Sequence, residues 1–202
     1  MFNFPFYNEN QNKINIYAVM GVNYEDYCGE NGGTPYCGYF DDNDVQRFDE
    51  IKRLAENCLY NEERGDQIVV LFDNDVIRAR ARAKDDIVFI GTKFAESSFV
   101  HEFSHSFGSL GDTYERDTVN QAFPEYPNCA SDEQGYTCED KWGDLIGTGE
   151  GDFQVGCFKN CGGSNWYRPT LRRDIMGAWV AQADFYDPVA LRHMESLMER
   201  YE

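Results

Sequence analysis

The chain has 202 residues, of which 42% are hydrophobic and 15% aromatic, and its formal net charge is -18. That length can bury a proper core, and that apolar content excludes a disordered chain. The charge argues against nucleic acid or an anionic membrane as partner, because both would be repelled.

In chain order, the residues through Lys13 are aromatic and Asn-rich without a period. Ile14 to Met20, INIYAVM, alternates apolar and polar and predicts a strand. Gly21 to Asn43 is rich in Gly, Asn, Tyr and Asp and reads as a long loop. From Asp44 the run DVQRFDEIKRLAENCLY sets Val45, Phe48, Ile51, Leu54 and Leu59 near helical spacing behind an Asp cap, which predicts an amphipathic helix. QIVVLFD, Gln67 to Asp73, suits a buried central strand, and DIVFIG, Asp86 to Gly91, a second one. Between them IRARARAK, Ile77 to Lys84, reads as an edge strand with its charges in water; a substrate-binding edge is the functional alternative.

Arg116 to Arg173 has little periodic pattern and carries much of the Gly, Pro and Cys, so it needs staples to be ordered. A last helix starts at Asp187 and Pro188, with Ala190, Met194, Leu197 and Tyr201 on one face. The expected fold class is α/β (α+β), a twisted mixed sheet with the motif helix in one lobe and an irregular, disulfide-stapled second lobe. One domain over residues 1–202, with lobes of about 1–108 and 109–202, is the expected organisation.

Seven cysteines are many for this length. Cys28, Cys37, Cys129, Cys138, Cys157 and Cys161 fall in loop-like segments and point to an oxidising, secreted or extracytoplasmic location. Pairing of sequence neighbours would join Cys28 to Cys37, Cys129 to Cys138 and Cys157 to Cys161, although six cysteines allow about fifteen connectivities. Cys58 reads as a small buried apolar residue of the first helix. No signal peptide opens the chain and no apolar run is long enough to span a bilayer, so an export leader would have to lie outside this sequence. Acidic clusters at Asp41, Asp42 and Asp44 and at Asp73 and Asp75 are candidate Ca2+ ligands, but they lack the spaced loop with its Gly and closing Glu and read as solvated loops.

The chemistry lies in Ser97 to Glu115, SSFVHEFSHSFGSLGDTYE. His101 and His105, four apart, stack on one face of a helix and can hold one ion. Glu102 stands on the adjoining arc, where a carboxylate can serve as general base without being a ligand. Only three histidines exist in the chain, and two of them make this pattern. Phe99, Val100, Phe103 and Phe107 pack the sides and predict a buried helix, whose imidazoles need polar partners that a metal supplies.

Catalytic zinc takes three protein ligands and leaves one position for water. Gly108 can adopt the left-handed conformation that ends a helix, so the third ligand is expected just beyond it. In the HExxHxxGxxH signature that ligand is a histidine at the place of Gly111. Asp112, one residue further, is the candidate here, with Glu115 as runner-up. His193, on the last helix, reads as a solvent or core residue.

HEFSHSFGSLGDTY resembles the active-site helix of the metzincin metalloproteases, and its one-residue-longer spacing to an aspartate is similar to that of the IgA-peptidase family of that clan. The resemblance implies a Met-turn beneath the metal, matched by DIMGAW with Met176. It extends to the strand before the helix, KWGDLI around Trp142 and YRPT from Tyr167, and so spans roughly Ile14 to Trp179. Two features depart from the pattern. Ala178 stands where some metzincins have a metal-touching tyrosine, leaving Tyr114 and Tyr167 as candidates for the oxyanion, and the additional amino-terminal domain common in the family is absent from this sequence. Motif and resemblance together predict a monomeric, secreted zinc endopeptidase with one catalytic Zn2+ and a protein or peptide substrate. A zinc-stapled binding module without turnover is the alternative.

Overall fold

The computed structural model describes residues 4–14, 52–53, 67–72, 82–84, 87–91, 96–114, 126–162, 165–177 and 183–201. Lys52 and Arg53 are helical, within the helix predicted from Asp44. The rest of that helix, the predicted strand beyond Ile14, the long loop, Cys28, Cys37, Cys58, Glu115 and the acidic clusters at Asp41–Asp44 and Asp73–Asp75 lie outside the described residues.

The two apolar runs form strands β1 (Ile68–Phe72) and β3 (Ile87–Gly91), paired in parallel with Ile68 opposite Ile87. The short β2 (Arg82–Lys84) runs antiparallel to β3, giving the order β1-β3-β2. Among the described strands, the last residues of the charged IRARARAK run thus take an outer position. Of the described strands it is β3, not β1, that lies between two partners. Ile87, Val88 and Ile90 are buried on both faces of β3, the arrangement that continuous apolar runs favour.

Helix α2 (Glu96–Gly108) packs across β2 and β3. Phe99, Phe103 and Phe107 stack in turn along it, with ring centroids 5.7 and 5.5 Å apart, as side chains four apart on a helix do. Val100 and Ser104 face a core that also contains Leu110, Ile175, Met176, Tyr186 and Met194. Ser104 Oγ donates to the Val100 carbonyl and meets the Tyr186 hydroxyl at 2.5 Å, and Tyr186 meets the Tyr7 hydroxyl at 2.9 Å. Burial pushes both phenols up, so this chain of hydroxyls stays neutral.

Tyr7 arrives on a turn the sequence pattern does not announce. Helix α1 (Pro5–Glu9) is a single turn opened by Pro5, and it inserts Phe4, Phe6 and Tyr7 into the core edge-on to Tyr186. Helix α4 (Pro188–Met198) follows Asp187, whose Oδ1 accepts from the Val189 and Ala190 N–H groups, the cap that the Asp-Pro pair predicts. Ala190, Met194 and Met198 are buried, Leu197 packs beside them, and Tyr201 is exposed against Phe107.

The second half is short elements held by disulfides. Helix α3 (Cys138–Trp142) opens with a capping box between Thr137 and Asp140, and its buried Trp142 donates to the Gly156 carbonyl at 2.9 Å. Strands β4 (Phe158–Lys159) and β5 (Tyr167–Arg168) pair antiparallel, and β5 also bridges to Ala130. The disulfides join Cys129 to Cys161 and Cys138 to Cys157. These nested links replace the expected Cys129–Cys138 and Cys157–Cys161 pairs: Trp142 of α3 hydrogen-bonds the Gly156 carbonyl beside Cys157, and β5 pairs with both β4 and Ala130, which brings Cys161 to Cys129. The whole is a mixed α+β structure, and among the described residues no helix is long and apolar enough to cross a membrane.

Candidate metal centre

His101 and His105 project from one face of α2, with Nε2 atoms 3.1 Å apart. Each Nε2 also lies 3.2 Å from Asp112 Oδ1. These residues form the one group of three metal-ligating side chains found among the described residues. They are partly open to solvent, with side-chain exposures of 14%, 21% and 12% for His101, His105 and Asp112.

The other imidazole nitrogens explain why the rings point this way. His101 Nδ1 donates to the Ile175 carbonyl at 2.8 Å and His105 Nδ1 to the Leu110 carbonyl at 2.5 Å. With an ion bound, protons on both Nδ1 atoms would leave the Nε2 lone pairs free to coordinate, the tautomer that backbone carbonyls impose on metal-binding histidines. The donor set also passes a geometric test. Zinc bonds of 2.0–2.2 Å in a tetrahedron require ligand atoms about 3.3–3.5 Å apart. The observed separations of 3.1 and 3.2 Å are close to that edge, so the three donors suit a small tetrahedral ion with a fourth position open.

Gly108 does not make the left-handed turn expected of it. It is still helical, and the next residue, Ser109, takes φ 49°. A side chain at 108 would instead crowd the neighbouring helix: a Cβ there would sit 2.5 Å from Met194 Sδ on α4, and the methionine would have to shift. After the turn the Leu110 N–H returns to the Ser104 carbonyl at 3.2 Å, which swings Asp112 back beneath the two imidazoles.

The chain after Asp112 is pinned to the turn at Asp174–Gly177. Thr113 donates its N–H to the Met176 carbonyl at 3.0 Å, and Arg168 Nη1 donates to the Thr113 carbonyl at 2.9 Å. Asp174 Oδ1 accepts from the Met176 N–H and the Thr113 hydroxyl, while its Oδ2 accepts from the Asp187 N–H. Burial pushes the carboxyls of both Asp174 and Asp187 up, and the Asp174 charge raises Asp187 further. Met176 is fully buried among Val100, Leu110 and Ile175.

Charge is balanced inside the site. Burial acts to raise the Asp112 pKa, but hydrogen bonds from His101 and His105 outweigh it and hold the carboxyl far below its usual range. Burial likewise acts against charging His105, and the hydrogen bond and charge of Asp112, with the charge of Glu102, outweigh that and raise it. Glu102 lies on α2 between the two histidines in sequence. A metal ion would supply the positive charge that a proton on His105 supplies in its absence.

The remaining candidates separate. His193 hydrogen-bonds the Gly108 carbonyl and has its pKa lowered by burial; it ties α4 to the end of α2 and does not join the metal-ligating group. Tyr114 is buried, its ring stacked 6.4 Å from that of His101. Tyr167 faces Asp132, whose charge and hydrogen bond raise its phenol. Two participants were missed by sequence reasoning, the Leu110 and Ile175 carbonyls that orient the imidazoles; main-chain atoms leave no residue-type signal.

No protein-family model matches the chain, and no curated protein sequence matches it.

Proposed function

We propose that the protein is a zinc-dependent endopeptidase of metzincin type, with His101, His105 and Asp112 as metal ligands and Glu102 as general base. The observation that carries this reading is the convergence of three donor atoms, from His101, His105 and Asp112, on one point beside the helix that bears Glu102. The HEFSHSFGSLGDTY resemblance, the buried Met176 turn next to the site and the helix lying on a mixed sheet all support it.

When bound, zinc would lower the pKa of a coordinated water toward about 7 and polarise the scissile carbonyl. Glu102 accepts the proton of the attacking water and returns it to the leaving amine. The carbonyls of Ile175 and Leu110 keep both Nε2 lone pairs aimed inward. Asp112 brings a negative charge where a third histidine would bring none, which would make the ion a weaker Lewis acid. Two disulfides suit an extracytoplasmic protein acting alone on protein or peptide substrates.

Cleavage of a denatured general substrate, with zinc present, tests the reading. Wild type should cleave it and Glu102→Ala should be about 10²–10⁴-fold slower. Equal inertness of both proteins across many substrates would favour the zinc-stapled binding module instead.

A further inference from the structure

We propose that Asn128 is a positioning residue for Asp112, acting through the peptide groups of Gly111; this rests on the metal-site reading above. His101 and His105 are fixed by a helix, but Asp112 stands in a coil segment. A ligand atom must be held to within a few tenths of an ångström of its coordinating position, so something outside the helix has to fix that coil.

Asn128 is fully buried, 16 residues further along the chain. Its Oδ1 accepts from the Gly111 N–H at 2.7 Å and its Nδ2 donates to the Gly111 carbonyl at 2.8 Å. These two bonds of opposite polarity set both the position and the tilt of the residue before Asp112. A carboxylate, which only accepts, or a short hydroxyl cannot repeat the pair.

Gly111 is shaped for this grip. A Cβ there would lie 2.8 Å from both Cys129 Sγ and Tyr126 Cδ2, so any side chain would push the segment away from the asparagine. The loop that carries Asn128 is itself fastened. Cys129 is bonded to Cys161, Lys141 Nζ donates to the Tyr126 and Cys129 carbonyls at 2.5 Å, and Ala130 exchanges both backbone hydrogen bonds with Tyr167. With Thr113 held by Met176 and Arg168 on the other side, Asp112 is suspended between two anchored peptides. Both ends of the Asn128 amide are engaged by Gly111, so its influence on a metal passes through Asp112.

Zinc affinity, measured by competition with a chelator of known strength, tests this in wild type, Asn128→Ala, Asp112→Ala and the double variant. Asn128→Ala should bind zinc about 10–100-fold more weakly than wild type, the usual effect of losing a group that orients a ligand. In the Asp112→Ala background the same change should cost no more than about 2-fold, because the residue it positions is gone. Asn128→Ser, which keeps a partner for one Gly111 group, is the second variant should the alanine protein not fold, and it should show a smaller loss. Affinity equal to wild type in a folded Asn128 variant, or a loss as large without Asp112 as with it, overturns the proposal. A wild type that binds no zinc overturns the metal reading itself, and this role with it.

Discussion

The Nδ1 of His101 lies 2.8 Å from the carbonyl oxygen of Ile175, 74 residues later in the chain. The first histidine of the helix motif is therefore oriented by the residue just before Met176. The same turn grips Thr113, the neighbour of Asp112, so one buried segment serves two of the three candidate ligands.

That arrangement gives Asp112 a defined part in holding the ion. Asp112→Ala should lower the zinc content of the purified protein well below one ion per chain, as measured by elemental analysis, while His101 and His105 remain. Undiminished zinc in the variant would remove Asp112 from the site.

The metal-free protein should show the balance of charge around the imidazoles. His105 has its folded pKa raised above an unfolded value of about 6.5, so its contribution is full below that pH and is lost as the pH rises through the folded value. Asp112 has its folded pKa lowered, so its contribution is present above about 3.9 and is lost as the pH falls through the folded value. The pair therefore stabilises most between about pH 4 and 6.5. With metal removed, the Tm advantage of wild type over Asp112→Asn should be larger at pH 5.5 than at pH 9; a difference independent of pH would contradict the pairing of Asp112 with a charged His105.

The buried Asp174–Asp187 pair works in the opposite sense. Because burial raises Asp187 and the Asp174 charge adds to it, ionisation costs stability as the pH climbs above about 3.9. Asn at 187 can still cap α4 and can donate to Asp174 without an ionisable proton. Asp187→Asn should thus raise Tm at pH 8, by about 2–4 °C for each kcal/mol relieved, and change it little at pH 4. Thermal melts at the two pH values check this, and a loss of stability at pH 8 would count against it.

Peptide mapping should recover Cys129 with Cys161 and Cys138 with Cys157. With a sequence separation of 32 against 19, the first link closes the larger loop, and each should contribute about 3–4 kcal/mol by loop closure. Replacing Cys129 and Cys161 by Ser should also weaken metal retention, since Asn128 adjoins Cys129. The same replacement of Cys138 and Cys157 should lower stability with less effect on the metal. A metal affinity indifferent to both would separate the disulfide lobe from the site.

What the sequence made legible was local. The His101, Glu102, His105 spacing needs only the period of a helix, the strands at Ile68–Phe72 and Ile87–Gly91 need only their apolar runs, and the start of α4 needs only Asp187 and Pro188. Features decided by distant packing stayed hidden. Gly108 looks like a turn residue, yet it stays helical against Met194 of another helix, and Ser109 makes the turn. One turn of helix is too short to show a period, so Phe4, Phe6 and Tyr7 gave no sign that Tyr186 would bury them. The disulfides follow the fold of the β4–β5 ribbon and not distance along the chain. Asn128 has no motif at all, because its partner is a main-chain peptide 17 residues away. The capping box at Thr137 and Asp140 was readable and would have located α3.

The most direct test is a zinc titration of the chelator-stripped protein, read as cleavage of a denatured protein substrate. Cleavage should be absent at the start, rise in proportion to added zinc, and level off at one ion per chain. Cleavage undiminished by stripping, or no cleavage of any substrate with one zinc bound, would contradict a zinc endopeptidase built on His101, His105 and Asp112.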